Sequence, residues 1–470
     1  MAEYTPTIGL EIHAELSTQT KMFCNSANDP HGAEANTHVC PVCMAFPGTL
    51  PVINREAVRH VLRVGAAVGG TLADYTEFDR KNYFYPDLPK GYQISQYQYP
   101  LVSGGSIAGV ELTRIHLEED TARSQHTKGD YSLVDFNRAG VPLMELVTEP
   151  VIRDAKTAAF FAHELQLLLR YLGASDANME KGEMRVEANI SVSRDKALGT
   201  KVEVKNLNSF KAVEKAIAFE TKRHIALLEK GERVVQETRG WDENKQETFS
   251  QRLKEESHDY RYFPDPDLPK LRLSAIPEFS KEVLSNELPE LPWEKRARYA
   301  ALGLQDDDVS VLVADRTYSA FFDAEVLAHT EESEMVRRAA NYLFSDVRGS
   351  NVPDALEKLS GGTFIELIEL VDAGHISSRG AKDVLALLIR DGGSAKALAE
   401  ERGLMQEHDA EAIRAYAREV INEHPEVAED VRQGKDKALK FLIGQGMKIS
   451  KGAANPQELS TALREEIKGQ

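Results

Sequence analysis

Two carboxylates and an imidazole stand at every second position near the start of the chain. Glu11, His13 and Glu15 alternate with apolar residues across residues 8–16, which is the pattern of a β-strand with one face in a core. Glu11 and His13 therefore point the same way, about 7 Å apart. This spacing suits two groups that share one divalent cation, directly or through water. The alternative is an amphipathic strand whose polar face simply meets solvent.

Further carboxylates lie in two other strand-like stretches. Residues 114–120 begin by alternating and end in three consecutive acids, Glu118, Glu119 and Asp120. Such a run is costly to pack unless a cation compensates the repulsion. Residues 183–191 also alternate and place Arg185 and Glu187 on one face. Carboxylates with His and Asn are the ligands that a hard divalent cation such as magnesium prefers.

Basic residues belong to neighbouring stretches. Lys205 ends the alternating segment 201–205, and Arg138 comes just before a turn at Gly140. Lysine and arginine offset the charge on a phosphoryl group during its transfer. Together the stretches predict a phosphate-handling cradle lined by a sheet. A sheet whose exposed face carries weak cross-strand ion pairs is the alternative.

The sequence lacks the common nucleotide-binding and hydrolase motifs. It contains no G-x-x-x-x-G-K-[ST] loop, no Rossmann glycine fingerprint, no protein-kinase H-R-D or D-F-G set and no G-x-S-x-G elbow. A nucleotide bound here would therefore occupy a site of another kind.

Three cysteines could hold a metal ion. Cys40 and Cys43 form a C-x-x-C pair that lets two thiolates meet one tetrahedral zinc ion, and Cys24 precedes them. A closed site needs a fourth ligand, for which His31 and His38 lie in the same loop. Free thiols on a loop are the alternative.

Aromatic and basic residues are concentrated in residues 79–92, which include Arg80, Lys81, Tyr83 and Tyr85. Residues 259–267 form an acidic, tyrosine-containing counterpart. Rings beside basic side chains could stack a nucleobase or a terminal nucleotide. A tyrosine-rich loop that packs under the sheet is the alternative.

Length and composition limit the kind of protein in which these residues are positioned. A chain of 470 residues should divide into two to four domains, and its 42% hydrophobic and 28% charged residues are typical of a soluble protein. No apolar run is long enough to span a bilayer, no signal peptide is recognised, and three cysteines fit a reducing compartment, so we expect a cytoplasmic protein. The net charge of −18 argues against indiscriminate nucleic-acid binding.

The distribution of proline divides the chain. Sixteen of the nineteen prolines precede residue 300, which separates an irregular α+β region from a helical remainder. We predict an α+β fold with a sheet-based cradle domain at 1–292, an all-helical domain at 293–404 and a small helical tail at 405–470. Helices are expected at 157–172 and 211–230, capped by Asp154 and Ser209. The tail carries a basic cluster that includes Lys448 and Lys451, which points to phosphate contact or to a solvated helix face.

The chain resembles the B subunit of the tRNA-dependent amidotransferases, the GatB family, along nearly its whole length. The matching motifs, in family order, are IGLEIH at 8–13, FDRKNYFYPD at 78–87, HLEED at 116–120, VKNLNSF at 204–210, DYRYFP at 259–264 and KGAANP at 451–456.

This resemblance implies a kinase-like step inside a transamidase. The B subunit of this family uses ATP and magnesium to phosphorylate the side-chain carboxylate of glutamate on tRNA(Gln) or of aspartate on tRNA(Asn). Ammonia then displaces the phosphate and leaves the amide. The resemblance implies that a separate amidase, the A subunit, supplies the ammonia, and that a small C subunit stabilises the complex.

Roles for particular residues follow from the resemblance together with the patterns above. The expected magnesium ligands are Glu11, His13, Glu119 and Glu187, and the expected nucleotide contacts are Arg80, Lys81, Arg138 and Lys205. Catalytic roles are expected for Glu11, His13, Glu119, Arg138 and Lys205. Tyr83 and Tyr85 would place the acceptor end of the tRNA, and Lys448 and Lys451 would contact its body. Many members of the family carry a zinc loop with four cysteines, and here Ser26 takes the second position.

Two rival functions use the same residues. A non-catalytic tRNA-binding scaffold would keep the carboxylates for structural metal ions only. A metal-dependent phosphohydrolase would use them to activate water. Loss of amide formation on substitution of Glu11 or His13 would argue against the scaffold, and ATP consumption without aminoacyl-tRNA would favour the phosphohydrolase.

Overall fold

The computed structural model describes residues 4–125, 130–195, 197–253, 260–330, 332–350, 352–406, 409–450 and 453–469. The chain forms two compact units, Met1–Pro292 and Trp293–Gln470. No helix among the described residues has the length and apolar character that a membrane span requires.

The first unit is built on strands. They are β1 (Thr5–Glu15), β2 (Thr71–Leu72), β3 (Tyr75–Thr76), β4 (Asp79–Asn82), β5 (Tyr92–Ser95), β6 (Val102–Ser103), β7 (Ser106–Ile107), β8 (Val110–Glu119), β9 (Arg123–Gln125), β10 (Leu133–Asp135), β11 (Pro142–Thr148), β12 (Met184–Ser193), β13 (Val202–Leu207), β14 (Glu237–Asp242), β15 (Glu247–Leu253), β16 (Phe263–Pro264) and β17 (Leu271–Arg272).

Ten of these strands form one sheet with β1 at its centre. The order is β15-β14-β13-β12-β1-β11-β8-β6-β2, and β7 pairs with β8. All of these neighbours are antiparallel except β13 and β14. Strands β4, β5 and β16 form a separate three-stranded sheet.

The alternation predicted for the first strand is present in β1. Ile8, Leu10 and Ile12 are fully buried, whereas Glu11 and His13 keep part of their surface. Because successive strand residues point to opposite faces, one face of β1 belongs to the core and the other carries the polar groups.

The described part of the first unit contains four α-helices: α1 (Arg55–Ala67), α2 (Ala155–Tyr171), α3 (Phe210–Glu229) and α4 (Lys281–Asn286). The predicted caps are confirmed, since Asp154 accepts a hydrogen bond from the backbone of Thr157, and Ser209 accepts one from Ala212. Helices α2 and α3 pack against each other and contact β1 and β12. The central strands therefore have helical support beneath the polar groups.

The second unit is helical. Its helices, the first of which begins at the boundary, are α5 (Pro292–Ala301), α6 (Asp306–Ala314), α7 (Arg316–Phe321), α8 (Ser333–Tyr342), α9 (Ala355–Lys358), α10 (Gly361–Asp372), α11 (Ser378–Asp391), α12 (Ala395–Glu401), α13 (Ala410–Glu423), α14 (Pro425–Arg432), α15 (Asp436–Ile449) and α16 (Pro456–Gly469). Single π-helical turns at Phe322–Val326 and Leu343–Val347 continue α7 and α8.

Helices α13 to α16 share a core that includes Ile413, Val420, Leu442 and Leu463. The α+β fold class, with a sheet-based region followed by a helical one, is confirmed. The division of the helical part at residues 404 and 405 stays a prediction.

Candidate metal and phosphate site

Four polar residues form one row across the centre of the sheet. The strand register sets His13 of β1 opposite Arg185 of β12 and Glu145 of β11, and sets Glu145 opposite His116 of β8. Directly opposed residues of antiparallel strands have Cβ atoms about 4.5–5.5 Å apart. The row therefore brings two imidazoles, a carboxylate and a guanidinium together from four separate strands.

Three carboxylates surround the imidazole of His13. Its Nε2 lies 3.3 Å from Glu145 Oε2, 3.8 Å from Glu118 Oε1 and 3.9 Å from Glu11 Oε1. His116 Nε2 lies 3.6 Å from the same oxygen of Glu145 and 3.8 Å from Glu118 Oε2. These five residues, Glu11, His13, His116, Glu118 and Glu145, are called the carboxylate–imidazole cluster.

The cluster contains two groups with metal-ligand geometry. Ligand atoms of Glu11, His13 and Glu145 all lie within 4.8 Å of one another, and so do those of His116, Glu118 and Glu145. Oxygen and imidazole donors at such distances fit a hard divalent cation. The buried Nδ1 of His116 has no hydrogen-bond partner among the described residues, so this ring is not committed to another protein group through that atom.

The electrostatics of the cluster also favour a cation. Burial lowers the pKa of His13, but its hydrogen bond to Glu145 and the charges of Glu145 and Glu118 outweigh this effect and raise that pKa to about 9. Burial raises the pKa of Glu145, yet the charges of His116 and His13 and the hydrogen bond hold it well below its usual range. Burial and the nearby Glu145 raise the pKa of Glu11. The carboxylates thus depend on positive charge held close to them.

A cavity of about 500 Å³ lies over the cluster. Lys81, Arg185 and Lys205 supply positive charge to its wall, and Tyr83 and Tyr262 supply aromatic surface. Burial lowers the pKa of Lys81, but Glu118 and the nearby tyrosines raise it above its usual range, so this ammonium is charged. A volume of this size is in the range of small-molecule sites, and the charged groups that converge on it suit a charged ligand.

The aromatic part of the wall is held by ring contacts. Tyr97 and Tyr262 are stacked with centroids 4.4 Å apart, and the Lys81 ammonium lies 5.2 Å from the centroid of Tyr260. Contacts of this kind fix the orientation of the rings before a ligand enters.

Glu119 lies apart from the cluster, contrary to its predicted grouping with Glu11 and His13. It follows Glu118 on β8 and so points to the opposite face of the strand. Its carboxylate pairs with Lys90 at 2.5 Å and accepts a hydrogen bond from the backbone N–H of Ile94. The structure therefore brings Glu118 and not Glu119 to the cluster, and a role for Glu119 as a magnesium ligand stays a prediction.

Two predicted nucleotide contacts are engaged elsewhere. Arg80 pairs with Asp265 and Asp267 at 2.8 and 3.0 Å, because it alternates with Lys81 on β4 and faces away from the cavity. Arg138 donates hydrogen bonds to the carbonyls of Thr121 and Ala122. Neither arginine lines the cavity, so the structure does not bring them to the cluster, and their contact with a nucleotide stays a prediction.

The structure does bring other predicted residues together. Lys81, Tyr83, Glu187 and Lys205 line the same cavity as Glu11 and His13, and Lys205 Nζ lies 2.5 Å from Glu187 Oε2. Tyr85 is 59% exposed and does not line the cavity. Lys448 is an exposed residue of α15, and Lys451 lies outside the described residues.

Sequence reasoning missed His116, Glu118 and Glu145. Counting by twos from His116 reaches Glu118 and Asp120, so the strand period could have identified the acid on the polar face. Glu145 is a single acid in the otherwise uncharged strand Pro142–Thr148. An acid inside a buried run needs a partner, and this was the available signal.

The three cysteines also converge. The sulfurs of Cys24, Cys40 and Cys43 lie within 4.8 Å of one another, and Ser26 Oγ is 3.9 Å from that of Cys43. The buried ammonium of Lys21 lies 3.8 Å from the same sulfur. His31 instead contacts Glu15 at 3.3 Å, and His38 is not part of the group that the described residues form. Neither imidazole therefore lies with the three sulfurs, and the fourth ligand of a zinc site stays a prediction.

Two family models match the chain. The one described as the GatB/GatE catalytic domain covers residues 6–276, and the one described as the GatB domain covers residues 320–467. Among curated proteins the chain is similar to the aspartyl/glutamyl-tRNA(Asn/Gln) amidotransferase B subunit of Persephonella marina, with 43% identity over 99% of this chain and 100% of that protein. It is 45% identical to the protein of the same name from a strain of Thermus thermophilus, over 99% of both chains.

Proposed function

The chain belongs to the GatB family of tRNA-dependent amidotransferases, which convert mischarged Glu-tRNA(Gln) and Asp-tRNA(Asn) to the amide forms, and we propose that it activates the amino acid on the sheet of its first unit. The γ-phosphoryl group of ATP passes to the side-chain carboxylate and ADP leaves. Ammonia then attacks the carbonyl carbon, phosphate leaves, and the nitrogen loses a proton.

The observation that carries this proposal is the carboxylate–imidazole cluster beneath a cavity walled by lysine and arginine. Phosphoryl transfer depends mainly on the position of the reactants and on charges that offset those of the transferred group. Glu11, His13, Glu118 and Glu145 fit a magnesium ion, which when bound would offset phosphate charge. Lys81, Arg185 and Lys205 would stabilise the remaining negative charge.

The protein's other task is to protect an acyl phosphate from water. The aromatic wall formed by Tyr83, Tyr260 and Tyr262 covers one side of the cavity. Exclusion of water prevents hydrolysis of a reactive intermediate. This wall also supports the expectation that Tyr83 contacts the acceptor end of the tRNA.

Partners are implied by the chemistry. The sequence shows no glycine- and serine-rich amidase signature, so ammonia would come from a separate amidase, the A subunit, with a small C subunit completing a cytoplasmic heterotrimer. Zinc would bind to the three thiolates of Cys24, Cys40 and Cys43 less tightly than to a set of four, because Ser26 does not supply a thiolate.

The test is amide formation by the reconstituted complex on both mischarged tRNAs. Glu118→Gln keeps the shape of the side chain and removes its charge, and we expect it to abolish both the amide and the hydroxamate that hydroxylamine traps from an acyl phosphate. Glu111→Gln is the matched control, because Glu111 is an exposed residue of the same strand. Wild-type amide formation by Glu118→Gln would support a scaffold, and ATP hydrolysis that needs no aminoacyl-tRNA would support a phosphohydrolase.

A further inference from the structure

Between two of its pairings with β12, strand β13 contains one extra residue. Val186 of β12 lies opposite Leu207 of β13, and Ala188 lies opposite Val204. Three steps along β13 therefore match two steps along β12, which defines a β-bulge at Lys205 and Asn206. Bulges occur often beside active sites, where they redirect a side chain.

The bulge directs two consecutive side chains into the same cavity. Residues of a regular strand alternate between faces, and Val204 and Leu207 are fully buried. Both Lys205 and Asn206, however, line the cavity over the carboxylate–imidazole cluster. Asn206 has a φ of +61°, the left-handed conformation that few residues other than glycine and asparagine adopt. Without this turn of the backbone, the amide of Asn206 would point into the core.

The carboxamide of Asn206 has no hydrogen-bond partner among the described residues. The side chain is exposed to the cavity. Its neighbour Lys205 is already held by Glu187 at 2.5 Å and by Glu203 at 3.6 Å. Residues held in sparsely populated backbone conformations cluster at active sites and ligand-binding positions. Asn206 is thus the polar group of the bulge that remains available to a ligand.

The position of the bulge indicates which part of a ligand it meets. Glu11 of the cluster lies directly opposite Glu187, and Glu187 lies opposite the bulge, so Asn206 is two strand spacings, roughly 10 Å, from Glu11. Lys81, Lys201 and Arg185 line the same cavity in addition to Lys205, so we expect the ligand group that lies over this part of the sheet to be anionic. In the proposed reaction that group is the polyphosphate of the nucleotide.

We propose that Nδ2 of Asn206 donates a hydrogen bond to a phosphate oxygen of bound ATP and, with Lys205, holds the polyphosphate over the sheet. This inference rests on the proposed function for the identity of the nucleotide. A neutral amide donor suits the position, because Lys205 already offsets the negative charges of Glu187 and Glu203.

The experiment compares substitutions that separate the backbone from the side chain. Asn206→Gly accepts the left-handed φ and removes only the carboxamide, and Asn206→Asp keeps its shape but replaces the donor with a negative charge. Gln246→Gly is the matched control, because Gln246 has a φ of +56° in the turn between β14 and β15, away from the cavity. In the reconstituted complex one measures the KM for ATP, the KM for aminoacyl-tRNA and the inhibition constant of inorganic tripolyphosphate.

For Asn206→Gly we expect the KM for ATP and the tripolyphosphate inhibition constant to rise roughly 10- to 100-fold, the loss typical of one hydrogen bond to a charged group. Asn206→Asp should raise both further, and the KM for aminoacyl-tRNA should stay unchanged in each. Wild-type constants in Asn206→Gly would overturn the proposal and leave the residue a backbone role only. A rise confined to the KM for aminoacyl-tRNA would overturn it as well.

The same measurements distinguish this inference from the proposed function. Tripolyphosphate inhibition that weakens in Asn206→Gly, together with normal amide formation by Glu118→Gln, would retain the phosphate contact and reject the proposed function. Loss of amide formation in Glu118→Gln with unchanged constants in Asn206→Gly would do the reverse.

Discussion

The side chain of Glu145 belongs to both ligand groups of the cluster. Its Oε2 lies within 3.6 Å of His13 Nε2 and His116 Nε2, and its Oε1 lies 3.5 Å from Arg114 Nη2. Because this carboxylate is almost fully buried, its charge is stable only while these cations or a metal ion stay close. Glu145 therefore couples the polar groups of β1 and β8 into one site.

The hydroxyl oxygen of Ser26 stands where a four-cysteine zinc loop would have a sulfur, and this leads to a prediction about zinc binding. A structural zinc ion needs four tetrahedral ligands, and Ser26 Oγ lies 3.9 Å from Cys43 Sγ. We expect Ser26→Cys to convert weak zinc binding into stoichiometric binding that survives dialysis against a chelator. Metal analysis by mass spectrometry measures the zinc content of both proteins.

Thr200→Cys provides the control for added thiol content, since Thr200 is an exposed residue in the connection between β12 and β13. Equal zinc content in Ser26→Cys and the parent protein would contradict the prediction. It would indicate that the buried ammonium of Lys21, 3.8 Å from Cys43 Sγ, excludes the metal ion.

The residues of the site were predictable wherever strand period alone decided their placement. Glu11 and His13 follow from alternation, and so does the shared face of Arg185 and Glu187. The run of three consecutive acids did not reveal whether Glu118 or Glu119 belongs to the site. The two side chains are equally acidic and differ only in the face of the strand to which they point. Glu119 also needed its partner Lys90 to be known, and a contact between residues 29 positions apart depends on how the strands pair.

At the scale of elements, the local signals for helices were sufficient and the order of the strands was not. Asp154 and Ser209 marked the starts of α2 and α3 because a capping side chain acts within its own turn. The bulge in β13 was also present in the sequence, as the spacing of Val202, Val204 and Leu207, which skips one position. The parallel pairing of β13 with β14 could not be inferred, because the two strands are separated by the whole of α3.

A buried ionic network links α3 to β14 and β15. Glu220 is fully buried, with Arg223 Nη2 at 2.8 Å, Arg239 Nε at 3.1 Å and His224 Nε2 at 3.1 Å. Thr248 donates a further hydrogen bond to it. Since β14 pairs with β13, this network holds the strand that supports Lys205 and Asn206.

Glu220 predicts how stability depends on pH. Burial raises its pKa, but the nearby imidazole of His224 and the hydrogen bonds from Arg223 and Thr248 outweigh burial and lower the pKa to about 2. A carboxyl group with a lowered pKa stabilises the folded state above its unfolded pKa, near 4.5, and loses this contribution as the pH falls towards 2. We expect about 3 kcal/mol of unfolding free energy to disappear across that interval, measured by urea denaturation at each pH.

Glu220→Gln should remove that pH-dependent contribution and lower the free energy of unfolding by about 3 kcal/mol at neutral pH, because two arginines lose a buried partner. Glu229→Gln is the matched control, an exposed acid on the same helix, and should change stability by less than about 0.5 kcal/mol. If the free energy of unfolding of Glu220→Gln fell with pH as it does in the parent protein, the pH dependence would come from other carboxylates.

At the scale of the whole molecule, the proposed reaction requires a strongly acidic protein to bind an RNA substrate. The net charge of −18 would repel a polyanion over much of the surface. Exposed lysines lie on one helix of the second unit, where Lys437, Lys440 and Lys448 stand on α15. Residues eleven positions apart on a helix, such as Lys437 and Lys448, are about 16 Å apart along its axis and lie on the same face.

We expect the two units to have separate roles, and the last prediction tests the role of the tail predicted at 405–470. Helices α13 to α16 have their own core, so Lys437→Glu with Lys448→Glu should leave the fold intact while reversing charge on the exposed face of α15. We expect the KM for aminoacyl-tRNA to rise several-fold and its salt dependence to weaken, because two phosphate contacts are lost, while the KM for ATP stays unchanged. Glu411→Gln with Glu419→Gln, on exposed positions of α13, is the control for altered charge. A rise in the KM for ATP would place the effect in the first unit, and an unchanged KM for aminoacyl-tRNA would show that this face of the tail does not bind the tRNA body.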